Sequence, residues 1–385
     1  MKKKYILLSI IIAIFGLSFG CNDAEYEIKD NSIYIAEAAT AAKSVTVSME
    51  DNGADINLTV RLAVPTVNDV QVEITTDTNI LKTFNATNST EYVMLPADHF
   101  NLPANAKVTI PAGEIATTLT IHVDNFDTQS KRYALPVVLG NVVEGNVNKS
   151  IAQSKFIYVV AKPLVVSVPV MKGVNGGILV DAATSRRPFG INVAQWSLEC
   201  WTRMSAYSKN NQAIFNLGSS DHEIYIRFGD ANAPYNYLQI KTLGGQVQTA
   251  RDLVPNVWCH WAFVYDGVTL HIYRNGELDV KFDPPAPAGG QVRIDYVEMI
   301  SSGATYFPDQ CGMSQVRLWK TAISSTQIKN NMYYAVDPSN PNLIAYWPMD
   351  EGSGDNFADI TGNNYDAVAG LGIIQRWENN IRFDK

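Results

Sequence analysis

The chain has 385 residues, 46% of them apolar, with 30 basic and 38 acidic side chains and a formal net charge of −8. So acidic a chain has no electrostatic grip on phosphate backbones, which excludes nucleic acid as a partner. Its four cysteines, Cys21, Cys200, Cys259 and Cys311, show no C-x-x-C spacing, which argues against a structural zinc site, and the apolar content suffices for two cores of ordinary size.

The chain opens on a leader. Lys2, Lys3 and Lys4 precede an apolar run over residues 5–19, too short to span a bilayer comfortably and right for the centre of a secretory signal. Leu17, Ser18 and Gly20 then lead into Cys21, a pattern that resembles the bacterial lipobox in the looser form common in Bacteroidetes. The resemblance implies a signal peptide over 1–20, lipidation of Cys21, and an acidic tether over 21–30 whose Asp23, Glu25 and Glu27 direct export. The expected location is the outer membrane, lipid-anchored and facing the cell exterior. The alternative is a cleaved leader and a soluble periplasmic product. Loss of residues 1–20 takes the net charge to −11, with 27 basic against 38 acidic side chains.

Beyond the tether the pattern is β nearly throughout. Val45, Val47 and Met49 share one period-two face, the turn "EDNGAD" follows, and Ile56, Leu58, Val60 and Leu62 share another, which predicts a hairpin. Val108 and Ile110, a turn around Pro111 and Gly113, and then Leu119, Ile121 and Val123 predict a second. All seven tryptophans fall after residue 190, a composition shift that implies two cores. The boundary is placed at "VAKPLVVSVPV", where Pro163 and Pro169 punctuate an extended segment, giving β-sandwiches over 31–162 and 163–385. In the second, Asn275-Gly276 between Ile272 and Leu278 is a type I′ hairpin signal, and "SSTQIKNNMYYA" is the one stretch read as a helix, capped by Ser324 or Ser325. Of the remaining cysteines, Cys200 with Cys259 is a conceivable disulfide, and three buried free thiols are the other reading.

Four ordered blocks, "WSLECWTRM", "NVWCHWAFVYDGVTLHIYRNGELD", "GMSQVRLWKTAISSTQI" and "LIAYWPMDEGSGDNFADITGNN", closely resemble the laminin G-like, concanavalin A-like jelly-roll domain of bacterial surface proteins. In this chain Trp258, Cys259, His260 and Trp261 stand where that family commonly has a W-H-H-V-A-type block. The first half, through "FNATNSTEYVMLPADHFNLPANAKVTIPAGEIATTLTIHV" and "RYALPVVL", is similar to an N-terminal domain of lipoproteins in gut Bacteroidetes glycan-utilisation systems. The fold class so implied is all-β, an immunoglobulin-like sandwich followed by a concanavalin A-like jelly roll. The implied role is a non-catalytic glycan-binding lipoprotein, with an oligosaccharide or polysaccharide ligand and a starch-utilisation-type importer as neighbour. An adhesion or protein-interaction lipoprotein and a divergent endo-glycosidase stay open as alternatives.

A glycosidase needs two facing carboxylates, which the glycanases of this fold carry as an E-x-D-x-x-E type run. No such run exists. Glu199 stands alone in "WSLECW", and Glu298 has only Asp295 nearby at the wrong parity, so both are expected to be solvated strand carboxylates. The five histidines, His99, His122, His222, His260 and His271, form no ligand pair, and His260 reads as a packed strand residue. "MDEGSGDNFADITGNN" gathers Asp350, Glu351, Asp355 and Asp359 as candidate calcium ligands, although such clusters are also ordinary turn chemistry. Sugar binding calls for flat aromatic faces edged by polar groups. The loop candidates are Tyr207 in "SAYSKNNQ", Tyr235 and Tyr237 in "ANAPYNYLQ", and Tyr306 and Phe307 with Asp309 in "GATYFPDQ"; Trp319 and Trp347 are assigned to packing.

Overall fold

The computed structural model describes residues 31–40, 43–88, 90–103, 106–128, 131–174, 178–180, 189–217, 224–285 and 291–385. The leader, Cys21 and the acidic tether lie outside these residues.

The first half is a sandwich of two sheets. One runs in the order Ala116–Val123, Ala54–Leu62, Ser32–Ile35, Asn148–Lys149. The other runs Ser44–Ser48, Lys155–Ala161, Tyr133–Glu144, Val70–Thr76, Ala106–Ile110, with Val93–Met94 beside Tyr133–Glu144. Strict alternation in Ala54–Leu62 buries Ile56, Leu58, Val60 and Leu62 against Val72, Ile74, Val137 and Phe156 of the facing sheet. Neither predicted hairpin forms. Ser44–Ser48 pairs in parallel with Lys155–Ala161, while Ala54–Leu62 pairs with Ala116–Val123 and Ser32–Ile35 in the other sheet. The turn between them holds only the bridge from Glu50 to Gly53. Likewise Ala106–Ile110 pairs with Val70–Thr76, so the turn after it carries the chain across the sandwich. Alternating burial is the same for a strand whichever partner it meets, so periodicity could not tell a hairpin from a crossing.

The α-helix Thr78–Asn88 was not anticipated. Its Leu81, with Ile80 and Phe84, covers Ala134, Ile157 and Val159 on the outer face of the second sheet. That face explains why Lys155–Ala161 is buried on both sides.

The chain leaves the first sandwich at Ala161 and enters the second at Val166. Pro169 lies inside the strand Val166–Met171, opposite Trp377. One sheet of the second sandwich runs Glu277–Phe282, Leu270–Arg274, Cys259–Tyr265, Trp196–Met204, Cys311–Trp319, Val166–Met171, Ile374–Ile381, with Leu343–Trp347 also on Cys311–Trp319. Its partner runs Gly245–Gln248, Leu238–Thr242, Ile224–Phe228, Gln212–Leu217, Val297–Met299, Ile178–Val180, Ala367–Ala369, Asn356–Phe357. Trp196, Trp261, Phe263 and Trp347 meet Phe215, Ile226, Phe228 and Ile240 between them. Asn275 and Gly276 take φ of 52° and 78°, the left-handed pair a type I′ turn demands, and Ser324 caps the helix Ser325–Asn331 in a reciprocal box with Gln327.

The two halves meet across a polar junction. Arg132 of the first donates to Asn330 O at 2.7 Å and to Asn331 Oδ1, at the C-terminal end of that helix, where carbonyls favour a cation. Arg382 donates twice to Glu50, at 2.8 and 3.0 Å.

Candidate functional site

Three loops of the second sandwich, 205–211, 229–237 and 301–310, close on one another beside the strands Gln212–Leu217 and Ile224–Phe228. Backbone bonds hold them together: Ser205 N to Gln310 O at 2.8 Å, Asn211 N to Gly229 O at 3.0 Å, Gly229 N to Tyr237 O at 2.9 Å. Gly229 is required here. Its φ is +67°, and a Cβ would stand 2.6 Å from the Cβ of Tyr235, so the tyrosine can lie directly against the backbone. Tyr235 and Tyr237 are half-buried, and Tyr306 is 43% exposed with Lys209 Nζ 5.8 Å from its ring centre. The structure therefore brings Tyr235, Tyr237 and Tyr306, predicted from separate stretches, to one end of the sandwich.

Beneath them lies a polar network that sequence reasoning missed. Arg227 donates to Gln239 Oε1 from Nε at 3.1 Å and Nη2 at 2.7 Å, and to Asn211 Oδ1 at 2.8 Å. It pairs with Asp230 at 2.7 Å, and Gln239 Nε2 donates to the other oxygen of that carboxylate at 3.0 Å. Tyr225 donates to Asn211 Oδ1 at 2.9 Å, and Asp230 N donates to the Tyr237 hydroxyl at 2.9 Å. A usable signal was present in "IYIRF" and "YLQIK": register sets Arg227 opposite Gln239, on the face away from Ile226 and Ile240. The same outward face continues through Asn216, which donates to Glu298 at 3.1 Å.

Other predicted residues do different work. Phe307 is fully buried in the sandwich core and offers no face to a ligand. Tyr207 is half-buried, packed edge-on against Phe228 at 5.4 Å, and burial pushes its hydroxyl pKa up. Asp309, 9% exposed, is filled by Ser208 N, Ser208 Oγ and Gln212 Nε2 at 2.7, 2.6 and 2.8 Å, so it braces the loops.

The acidic segment forms no shared ligand shell. Asp359 accepts from Tyr346 N, Thr361 N and Tyr365 N; Glu351 accepts from Ala358 N; Asp350 accepts from Ser167 N; Asp355 accepts from the Asn356 side chain. Each carboxylate satisfies nearby donors instead of converging, and among the described residues no cluster of three or more His, Cys, Asp or Glu could hold a metal ion. This is turn chemistry.

Glu199 overturns the expectation of a solvated carboxylate. It is fully buried on the outer side of the large sheet, where Trp319 Nε1 donates to it at 2.9 Å and Arg317 Nη1 stands 3.9 Å away. Burial pushes its pKa up, while Arg317 and the Trp319 bond pull the other way. His260, 3.7 Å from Glu199, is sealed in the same place; burial, then Arg317, lowers its pKa to about 3. At 1% exposure and with its basicity so depressed, this imidazole is badly placed to take a proton from a ligand. Trp319 and Trp347 are buried, as assigned. Cys200, Cys259 and Cys311 are buried free thiols, which decides against the disulfide.

Concave grooves also lie elsewhere. A groove of about 430 Å³ runs beneath the helix Thr78–Asn88, lined by Ile80, Phe84 and Phe156. Lys43, Asn79, Thr83, Thr87, Asn88 and Lys155 also line it, and what sets the loop end apart is that its tyrosines lie beside polar groups already fixed by one another.

Residues 175–329 match the family model of the concanavalin A-like lectin/glucanases superfamily, and residues 29–144 match the model of an N-terminal-domain family. No curated protein matches the chain significantly. Among solved structures, a proposed carbohydrate-binding protein from Bacteroides ovatus aligns over 90% of this chain and 97% of its own, at 21% identity and a TM-score of 0.50. A SAP-like pentraxin from Limulus polyphemus aligns over 55% of this chain and 96% of its own, at 13% identity and a TM-score of 0.35. Bacteroides thetaiotamicron EndoBT-3987, solved with a Man5GlcNAc product, aligns over 33% and 30%, at 17% identity and a TM-score of 0.27. Identities this low speak to fold alone. The C-terminal region of this chain is a concanavalin A-like domain, preceded by a β-sandwich that matches an N-terminal-domain family.

Proposed function

We propose that the C-terminal half, 163–385, captures an oligosaccharide or polysaccharide without altering it, and that the first half, 31–162, serves as its spacer or partner platform. One observation carries the reading: Tyr235, Tyr237 and Tyr306 share one loop end with Asn211, Asp230 and Gln239. A pyranose presents an apolar CH face and a ring of hydroxyls, which phenol rings and fixed amide and carboxylate groups can meet together. The relative from Bacteroides ovatus, named for carbohydrate binding, supports the same class of ligand.

Three observations support capture over hydrolysis. Glu199 is sealed under Trp319, Glu298 is held by Asn216, and Asp295 is engaged by Arg293 at 2.7 Å. Among the described residues none of the three faces another carboxylate across an open cleft, as a glycosidase pair must. For location, the leader and Cys21 support a lipid anchor in the outer membrane facing the exterior, beside a starch-utilisation-type importer, where surface density would supply avidity to weak sites.

The test is a glycan array probed with the chain from residue 22 onward, with and without calcium. Binding of one glycan class, lost on Tyr235→Ala or Tyr306→Ala, is expected. A blank array refutes capture and favours protein adhesion, and sugar release by the purified chain would favour the endo-glycosidase. Anchoring is read separately, by whether Cys21→Ala removes the full chain from the membrane fraction.

A further inference from the structure

We infer that Asn211, Asp230 and Tyr237 form the hydrogen-bonding centre of this site, and that its ligand is a neutral sugar bearing two adjacent free hydroxyls. The inference rests on the capture reading above and specifies where and what it binds.

The argument is an account of donors and acceptors. Asn211 Oδ1 is filled twice, by Arg227 and by Tyr225. That fixes the amide and turns its NH2 away from the guanidinium, as a donor with set direction. The Tyr237 hydroxyl accepts from Asp230 N, so its own proton is left to give. Each oxygen of Asp230 takes one internal bond, from Arg227 and from Gln239. A carboxylate has about four acceptor positions, so roughly one on each oxygen remains. The Asp230 side chain is 30% exposed, whereas that of Arg227 is 10% exposed and Gln239 is buried. The outer groups are thus reachable, and the inner ones hold them in place.

Two donors flanking a carboxylate suit a vicinal diol, whose hydroxyls each give a proton to the acid and take one from the amide or phenol. Tyr235, resting on Gly229 beside them, supplies the apolar face. Charge sets the class. Arg227 spends its charge on Asp230, so these groups leave no net positive charge among themselves to attract a uronate, sulfate or sialic acid, and Lys209 lies over Tyr306 rather than among them. Asp230 remains an acceptor, which repels an anionic ligand at close range.

The experiment compares the chain from residue 22 onward with Asp230→Asn and Tyr237→Phe, on neutral hexose glycans and on uronate and sialylated glycans. The native chain should bind the neutral set. Asp230→Asn should weaken that binding by about tenfold or more, since a bond to a charged acceptor is lost. It should also raise binding of acidic glycans, because the charge of Arg227 is no longer neutralised and the carboxylate no longer repels them, a gain that a merely structural role for Asp230 would not produce. Tyr237→Phe should weaken neutral binding with little change in unfolding midpoint, and it carries the test if Asp230→Asn does not fold. Preference of the native chain for acidic glycans overturns the inference. So does native-like binding by both variants while Tyr306→Ala abolishes it, which would leave capture standing at another centre. A blank array for the native chain refutes both readings.

Discussion

His260 should make the second sandwich acid-sensitive by a calculable amount. In the folded chain its pKa is lowered from 6.5 to about 3, first by burial and then by Arg317. Above pH 6.5 the imidazole is neutral whether the chain is folded or not, and the fold keeps its full stability. As the pH falls below 6.5 the unfolded chain takes up a proton that the folded chain refuses. Linkage then removes about 2 kcal/mol by pH 5 and about 3 kcal/mol by pH 4. Glu199, 3.7 Å away, acts with opposite sign: its folded pKa is raised, so its contribution strengthens as pH falls through that value. The comparison is therefore Glu199→Gln against Glu199→Gln with His260→Gln, by urea unfolding between pH 8 and pH 5. All seven tryptophans lie after residue 190, so tryptophan fluorescence, excited selectively, reports this sandwich alone. The double variant should show a profile flatter by about 2 kcal/mol. Parallel profiles would refute the assignment of His260 as a buried neutral group.

At the junction, Arg132→Ala removes two hydrogen bonds from a half-buried guanidinium and strands Asn331 Oδ1; a loss of about 1–3 kcal/mol is expected, with earlier proteolysis near residues 161–166. The thiols offer a direct probe of burial. Burial pushes Cys311 up to about 12 and Cys200 well above its ordinary value, so the native chain from residue 22 onward should react slowly with a maleimide at pH 8, and all three cysteines should react once it is unfolded. Adjacent aromatics should separate binding from stability. Phe307→Ala should cost about 3–5 kcal/mol of stability, whereas Tyr306→Ala should leave the unfolding midpoint within about 1 kcal/mol and reduce glycan binding.

Much of the architecture is local in origin and was legible in the chain. Period-two alternation over residues 54–62 marks a strand buried on one side, Asn275-Gly276 marks a type I′ turn, and Ser324 with Gln327 marks a helix start. Each of these is a property of a few consecutive residues. The confinement of tryptophan to the second half likewise announced a separate, bulkier core there, because large rings need a deep interior to fill.

Partnership between distant segments was not legible. Ser44–Ser48 meets Lys155–Ala161, and Glu199 is sealed by Trp319 from 120 residues away, because a third layer covers the outer side of the large sheet. A strand carboxylate looks the same in sequence whether water or a tryptophan lies above it. The candidate site divides in the same way. Aromatic loop residues could be picked out by composition, but Phe307 faces inward and Tyr306 outward through backbone direction alone. The Asn211, Arg227, Asp230 and Gln239 network arises only when strand register sets Arg227 opposite Gln239 and a left-handed Gly229 folds the next loop over them. Local chemistry was sufficient for the alternating strands and for the helix after Ser324, though not for the helix Thr78–Asn88; the burial, pairing and convergence that build a site depend on which surfaces the packed sheets cover.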